Sequence, residues 1–272
     1  MRTFTTRAHG MHLRASDFGG HVLSWIARGR EQLFCVPTER MAPGVAIRGG
    51  IPVIFPQFAT RGSGQRHGFA RLLGWEPGML DAPGTRSFAL VDSAATRRAW
   101  PHGFRLGLEA RLAPDRLTVS LEVRNTGSDP FSCTLALHTY LQVEDAAKAR
   151  LEGLQDHAYM DATRDDAQGS DPGPVTFERE IDRLYPGATQ PLRLAEESQL
   201  REIRMTGFRD VVAWNPGPSK ASAIPELEPG DHRRFVCVEA ACAATPLLLS
   251  PGERWRGSQE IVLLEPPGNP VA

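Results

Sequence analysis

Alternation of apolar and polar residues is the feature that most restricts what this chain can fold into. Leu117, Val119, Leu121 and Val123 alternate with Thr118, Ser120, Glu122 and Arg124, and Asn125-Thr126-Gly127 follows as a turn. A helix cannot sort such a pattern onto one side, whereas a strand does so through its period of two. Residues 134–143 repeat the pattern. Leu135, Leu137, Leu141 and Val143 share one face with Thr139, and Thr134, Ala136, His138, Tyr140 and Gln142 share the other. Phe235-Val236-Cys237-Val238-Glu239 and Ile261-Val262-Leu263-Leu264 are rich in β-branched and aromatic residues and read as strands. His21–Trp25 and Glu31–Phe34 read as strands joined by a hairpin turn near Arg28-Gly29-Arg30. Turn signals recur along the chain, among them Pro114, Pro130, Pro186-Gly187, Pro216-Gly217-Pro218 and Pro229-Gly230. The only helical signal is short, over Gln142–Leu151, and residues 161–174 read as an exposed polar loop. The fold class expected is all-β, a large antiparallel β-sandwich with residues 1–272 as a single domain.

Composition removes several function classes. The formal net charge of −1 supplies no basic field for nucleic acid. Residues 1–20 hold no apolar core of signal-peptide length, and no segment approaches a membrane span, so a cytoplasmic protein is expected. Cys35, Cys133, Cys237 and Cys242 are scattered with no C-x-x-C pair, which argues for buried free thiols and against a metal site. No phosphate-loop or dinucleotide fingerprint is present, so no cofactor is expected.

Chemistry concentrates in three places. Arg48-Gly49-Gly50-Ile51-Pro52, Pro56-Gln57-Phe58 and His67-Gly68-Phe69-Ala70-Arg71 set arginine, histidine and glutamine in an apolar, glycine-rich frame. That mixture suits either a small-molecule pocket or a structured surface loop. His138 lies on the strand face opposite the leucines, as a proton donor and acceptor or as a hydrogen-bonded structural histidine. Glu239 follows a β-branched run, as a buried carboxylate of raised pKa or as a strand-end glutamate turned to solvent. Asp182 and Asp210 are strand-embedded acids that suit sugar hydroxyls or a neighbouring arginine, and Trp214 offers a stacking surface.

Taken in order, these segments resemble the aldose 1-epimerase (galactose mutarotase-like) superfamily, most of all its glucose-6-phosphate 1-epimerase branch. The resemblance is carried by Gly20–Trp25, Arg48–Pro52, Phe55–Phe58, His67–Arg71, Leu137–Leu141, Asp182–Tyr185, Asp210–Pro216, Val236–Glu239 and Leu249–Glu253 with Gln259. It implies a galactose mutarotase-like supersandwich, His138 as general acid and Glu239 as general base. It implies substrate contacts at Arg48, Gln57, His67, Arg71 and Asp182, with Arg48 and Arg71 as the candidates for a 6-phosphate. The partner expected is a small-molecule sugar or sugar phosphate, handled by a monomer. An ionised carboxylate beside a protonated imidazole is expected at the catalytic pair. The chain departs from the family where Ala240-Ala241-Cys242 follows Glu239 and again over residues 217–226. A neutral-sugar epimerase and a non-catalytic carbohydrate-binding protein are the other readings.

Overall fold

A computed structural model describes residues 1–41, 44–79 and 81–265, so the end of the 1–272 span lies outside the described residues. Two large antiparallel sheets carry the architecture. The eight-stranded sheet runs in the order Ala167–Gly169, Tyr159–Asp161, Ile181–Pro186, Asp210–Asn215, Phe235–Leu249, Phe131–Leu137 and Val53–Ile54, with Tyr140–Gln142 also paired to Phe235–Leu249. The nine-stranded sheet is centred on Leu200–Thr206, Arg254–Leu264, Arg116–Asn125 and Phe104–Ala113. A third, four-stranded sheet is formed by Thr3–Ala8, Met11–Ser16, His21–Ala27 and Arg30–Glu31. No helix among the described residues is long and apolar enough to cross a membrane.

The alternating residues sort as their parity dictates. Leu117, Val119, Leu121 and Val123 meet Leu135, Leu137, Val236 and Val238 in the core between the two large sheets. The other face of the eight-stranded sheet is also covered: Ala136, Tyr140, Val212, Trp214, Cys237 and Ala241 form a second apolar cluster. That sheet therefore separates hydrocarbon on one side from the candidate site on the other. The Arg28-Gly29 hairpin is as expected, with Ala27 paired to Arg30 and both turn residues at positive φ, 51° and 73°.

Two expectations are corrected. Residues 142–151 hold no helix. Tyr140–Gln142 and Arg150–Glu152 are strands, and between them Asp145 accepts from the amides of Lys148 and Ala149 at 2.9 and 3.1 Å, a single turn that goes no further. Residues 161–174 are exposed over much of their length, yet they include sheet structure: Asp161 pairs with Ala167 at the base of a hairpin whose turn holds Asp165 and Asp166 at positive φ.

The Arg48–Arg71 stretch folds back over the edge of the eight-stranded sheet, and its glycines are where chain meets chain. A Cβ on Gly49 (φ +107°) would lie 2.3 Å from the Cys35 Cα, and one on Gly68 (φ +63°) 2.1 Å from the Phe55 carbonyl oxygen. Only glycine fits at such approaches. They hold the backbone so that Arg48, His67 and Arg71 all reach one cleft.

Candidate active site

The cleft has a volume of about 760 Å³ and lies on the outer face of the eight-stranded sheet. Its floor is set by strand register. Leu184 pairs with Val212, Val212 with Glu239 and Leu137 with Ala240, so His138 falls opposite Glu239 in the same row. Regular pairing is interrupted there, with the His138 amide donating to the Pro52 carbonyl at 3.0 Å. Thr139, on the core side, donates to the Gln259 side chain. Glu239 does not end its strand. It sits inside the 15-residue strand Phe235–Leu249 and is 1% exposed.

His138 Nε2 stands 3.4 Å from Glu239 Oε1. The imidazole stacks on Tyr140 at 4.8 Å and meets Trp214 edge-on at 5.7 Å. Burial pushes the Glu239 carboxyl well above the usual carboxylate range, and Asp182 adds to the shift. Burial also pushes His138 well below an ordinary histidine, with His67, Arg71 and Arg48 adding to that effect. Both environments favour neutral forms, against the ion pair expected from the residues alone: desolvation outweighs attraction when both groups are sealed from water.

His67 is held at φ +63°, a costly conformation for a non-glycine residue that recurs at ligand clamps. Its Nδ1 accepts the Ala59 amide at 3.3 Å, which leaves Nε2 to carry the proton. Its ring lies 5.7 Å from that of His138. Burial first, then Arg71, pushes its pKa down to about 3, so it is a neutral donor.

The cations of the cleft divide into two sets. Arg61 pairs with Asp166 at 2.8 Å, Lys220 with Glu180 at 2.6 Å, and Arg48 with Glu226 at 3.8 Å while donating to the Tyr140 hydroxyl at 3.2 Å. Arg66 and Arg71 also line the cleft, and among the described residues neither is in an ion pair with a carboxylate. The buried Arg71 Nε has no hydrogen-bond partner, and Arg71 is pushed down to about 10 by burial and by Arg48 and Arg66. Two unneutralised guanidinium groups in one cleft make a place for an anion.

Of the residues expected in the site, His138, Glu239, Arg48, His67, Arg71 and Asp182 all line the cleft. Asp182 lies 3.9 Å from Lys220, and burial raises its pKa. Gln57 is a correction: its carboxamide bonds the backbone at Ala59 and Gly64, and it lines a separate hollow behind the loop. Asp210 faces no sugar site either. It accepts the amides of Ala243 and Ala244 at 2.7 and 2.9 Å and so serves the backbone. Arg61, Arg66, Asp165, Asp166 and Lys220 were not singled out as site residues from the sequence, and they come from a loop, a hairpin turn and the short helix Gly217–Ala221 that only the tertiary fold brings to the cleft.

A two-sheet antiparallel sandwich with a buried imidazole–carboxylate pair under an arginine-rich cleft defines a class: β-sandwich proteins with a cleft for a small polar ligand. The family model described as Aldose 1-epimerase matches residues 2–262, and the chain belongs to that family. A relative from Cenchrus ciliaris named "Putative glucose-6-phosphate 1-epimerase" is 35% identical over 255 residues, covering 88% of this chain and 78% of the relative. One of the same name from Escherichia coli strain K12 is 35% identical over 236 residues, covering 83% of this chain and 78% of its own. The crystal structure of a "putative mutarotase" from Salmonella typhimurium superposes with a TM-score of 0.87 at 27% identity, over 97% of this chain and 90% of that one. The chain is an enzyme, an isomerase of the epimerase kind.

Proposed function

We propose that this enzyme interconverts the α and β anomers of a hexose 6-phosphate by opening and re-closing the sugar ring. The observation that carries the reading is the buried His138–Glu239 pair, 3.4 Å apart, beneath Arg66 and Arg71. The relatives named for glucose 6-phosphate support the same substrate. Ring opening requires that the anomeric O1–H lose a proton while the ring oxygen O5 gains one. Glu239 takes the first and His138 gives the second. The aldehyde end then rotates about C1–C2, and the ring closes on its other face with the two roles reversed. Each positioned proton transfer contributes roughly 10²–10⁴-fold in rate.

The protonation directions fit this cycle. Imidazolium with carboxylate and imidazole with carboxylic acid contain the same number of protons. The first arrangement begins ring opening and the second accompanies the open-chain aldehyde. Burial favours the second. A phosphate dianion held at Arg66 and Arg71 opposes it, because the Arg71 cation is among the groups that lower His138. His67 Nε2–H and Asp182 serve as donor and acceptor to hydroxyl groups, and the clamp on the phosphate keeps C1 in register with the pair.

Buried free thiols at Cys133, Cys237 and Cys242 support a reducing, cytoplasmic setting. The test is anomer exchange by NMR with glucose 6-phosphate and with glucose. Exchange is expected to be faster for the phosphate, with Arg71→Ala raising KM for the phosphate and leaving glucose little changed. Equal rates for both sugars in the parent enzyme would reassign it to neutral aldoses.

A further inference from the structure

We infer that Gln57 is a positioning residue for phosphate recognition: its carboxamide holds the loop of residues 59–67 so that Arg61 and Arg66 stay turned into the cleft. The inference rests on the hexose 6-phosphate reading for the ligand and on hydrogen-bond geometry for the brace. Gln57 Nε2 donates to the carbonyls of Ala59 and Gly64, both at 3.1 Å, and Oε1 accepts the Gly64 amide at 2.8 Å. Every polar hydrogen and the oxygen of this buried side chain are therefore used on one loop. The two carbonyl acceptors also fix which end of the amide is nitrogen, since a flipped group would set oxygen against oxygen.

Besides the brace, the loop is held by two side-chain contacts, Arg61 to Asp166 at 2.8 Å and Arg71 to the Arg66 carbonyl at 3.4 Å. Its backbone bonds are internal or local: Arg61 to Phe58, Gly62 to Thr60, His67 to Ala59 and Gly68 to Gln65. Gly62 to Arg66 are exposed. Behind the loop lies a hollow of about 330 Å³ bordered by Phe69, Trp100, Cys133 and Thr134, so no packed core supports it from the rear. Without the brace the middle of the loop has space to fall back, drawing Arg66 away from the cleft and straining the Arg61–Asp166 pair, while His67 stays anchored by its amide bond to the Ala59 carbonyl at 3.0 Å. Gly62 shows how closely the brace is fitted: a Cβ there would sit 2.4 Å from Gln57 Oε1, at φ +154°.

Gln57→Glu is the decisive variant. It keeps the shape but places an acceptor against the Ala59 and Gly64 carbonyls. Loosening one charged contact predicts a KM for glucose 6-phosphate raised about tenfold, and inhibition by inorganic phosphate weakened about equally, with kcat little changed. Exchange of the Gly64 amide with solvent should quicken, whereas turnover of glucose, which has no phosphate to hold, should move little. Gly62→Ala, which displaces the same brace from the other side, should give the same split should Gln57→Glu fold poorly. Unchanged KM and phosphate inhibition, or an equal loss on both sugars, would overturn the inference. Should the parent enzyme treat glucose and glucose 6-phosphate alike, the substrate reading fails instead, and Gly64 amide exchange alone decides whether Gln57 braces the loop.

Discussion

Replacing Glu239 by glutamine separates what this residue does for the reaction from what it does to the fold. The side chain is 1% exposed, Oε1 faces His138 at 3.4 Å and Oε2 has no hydrogen-bond partner. Glutamine keeps the volume but accepts no proton from O1. A lost positioned base predicts a rate reduced by ~10²–10⁴-fold, or about 2.7–5.5 kcal/mol of transition-state stabilisation. Stability should move the other way. Burial raises the folded carboxyl above its unfolded value of 4.5, so the folded protein keeps a proton that the unfolded chain has already released. Stability is then full below the unfolded pKa and falls as pH rises from there towards the folded pKa, by about 1.4 kcal/mol for each pH unit crossed. Glu239→Gln lacks this loss, so its stability relative to the parent should improve between pH 4.5 and pH 7.5. NMR anomer exchange measures the first effect and urea unfolding at the two pH values the second. A rate within tenfold of the parent would refute the base assignment, and a variant relatively less stable at pH 7.5 would refute the burial argument.

Asp210→Ala should leave the amides of Ala243 and Ala244 without their acceptor, and a loss of about 3 kcal/mol in urea unfolding, with an unchanged slope, is expected. His21 and His67 are depressed to about 4 and about 3, so the stability they contribute is complete above 6.5 and is lost as pH falls below it. Each adds up to about 1.4 kcal/mol per pH unit to the slope in that window, and His67→Gln should remove one share of it. An unchanged slope in that variant would mean that His67 is not held as a neutral imidazole.

The faces of residues 134–143 were legible because the interior sets parity even where pairing breaks. Leu137 and Leu141 enter the core, His138 faces the cleft and Tyr140 joins the apolar cluster on that side, although regular pairing stops between them. The course of the chain after Glu239 was harder to read, because Ala240, Ala241 and Cys242 are small and carry weak strand preference. The structure explains their size: Ala240 and Cys242 fill the core and Ala241 the cleft-side cluster, within a sheet covered on both faces. The role of Gln57 was not legible, since a glutamine beside a pocket and one bracing a loop look alike until the partners of its amide are known. Arg66 was missed for a related reason: its loop has no periodicity, and the fold alone places it beside Arg71. The charge state of the His138–Glu239 pair depends on depth of burial, which alternation does not report.

The two-faced strand Phe235–Leu249 also governs how this enzyme can go wrong. A slip of one residue in its pairing would carry Glu239 among the leucines and bring Val238 or Ala240 to the cleft, because every side chain changes sides together. An unpaired carboxylate in hydrocarbon is too costly for such an isomer to persist. Assembly of the His138–Glu239 pair is thereby a condition of folding rather than a later adjustment. A preparation of low specific activity should contain unfolded or aggregated chains beside fully competent ones, and titration of its active sites should count the folded molecules.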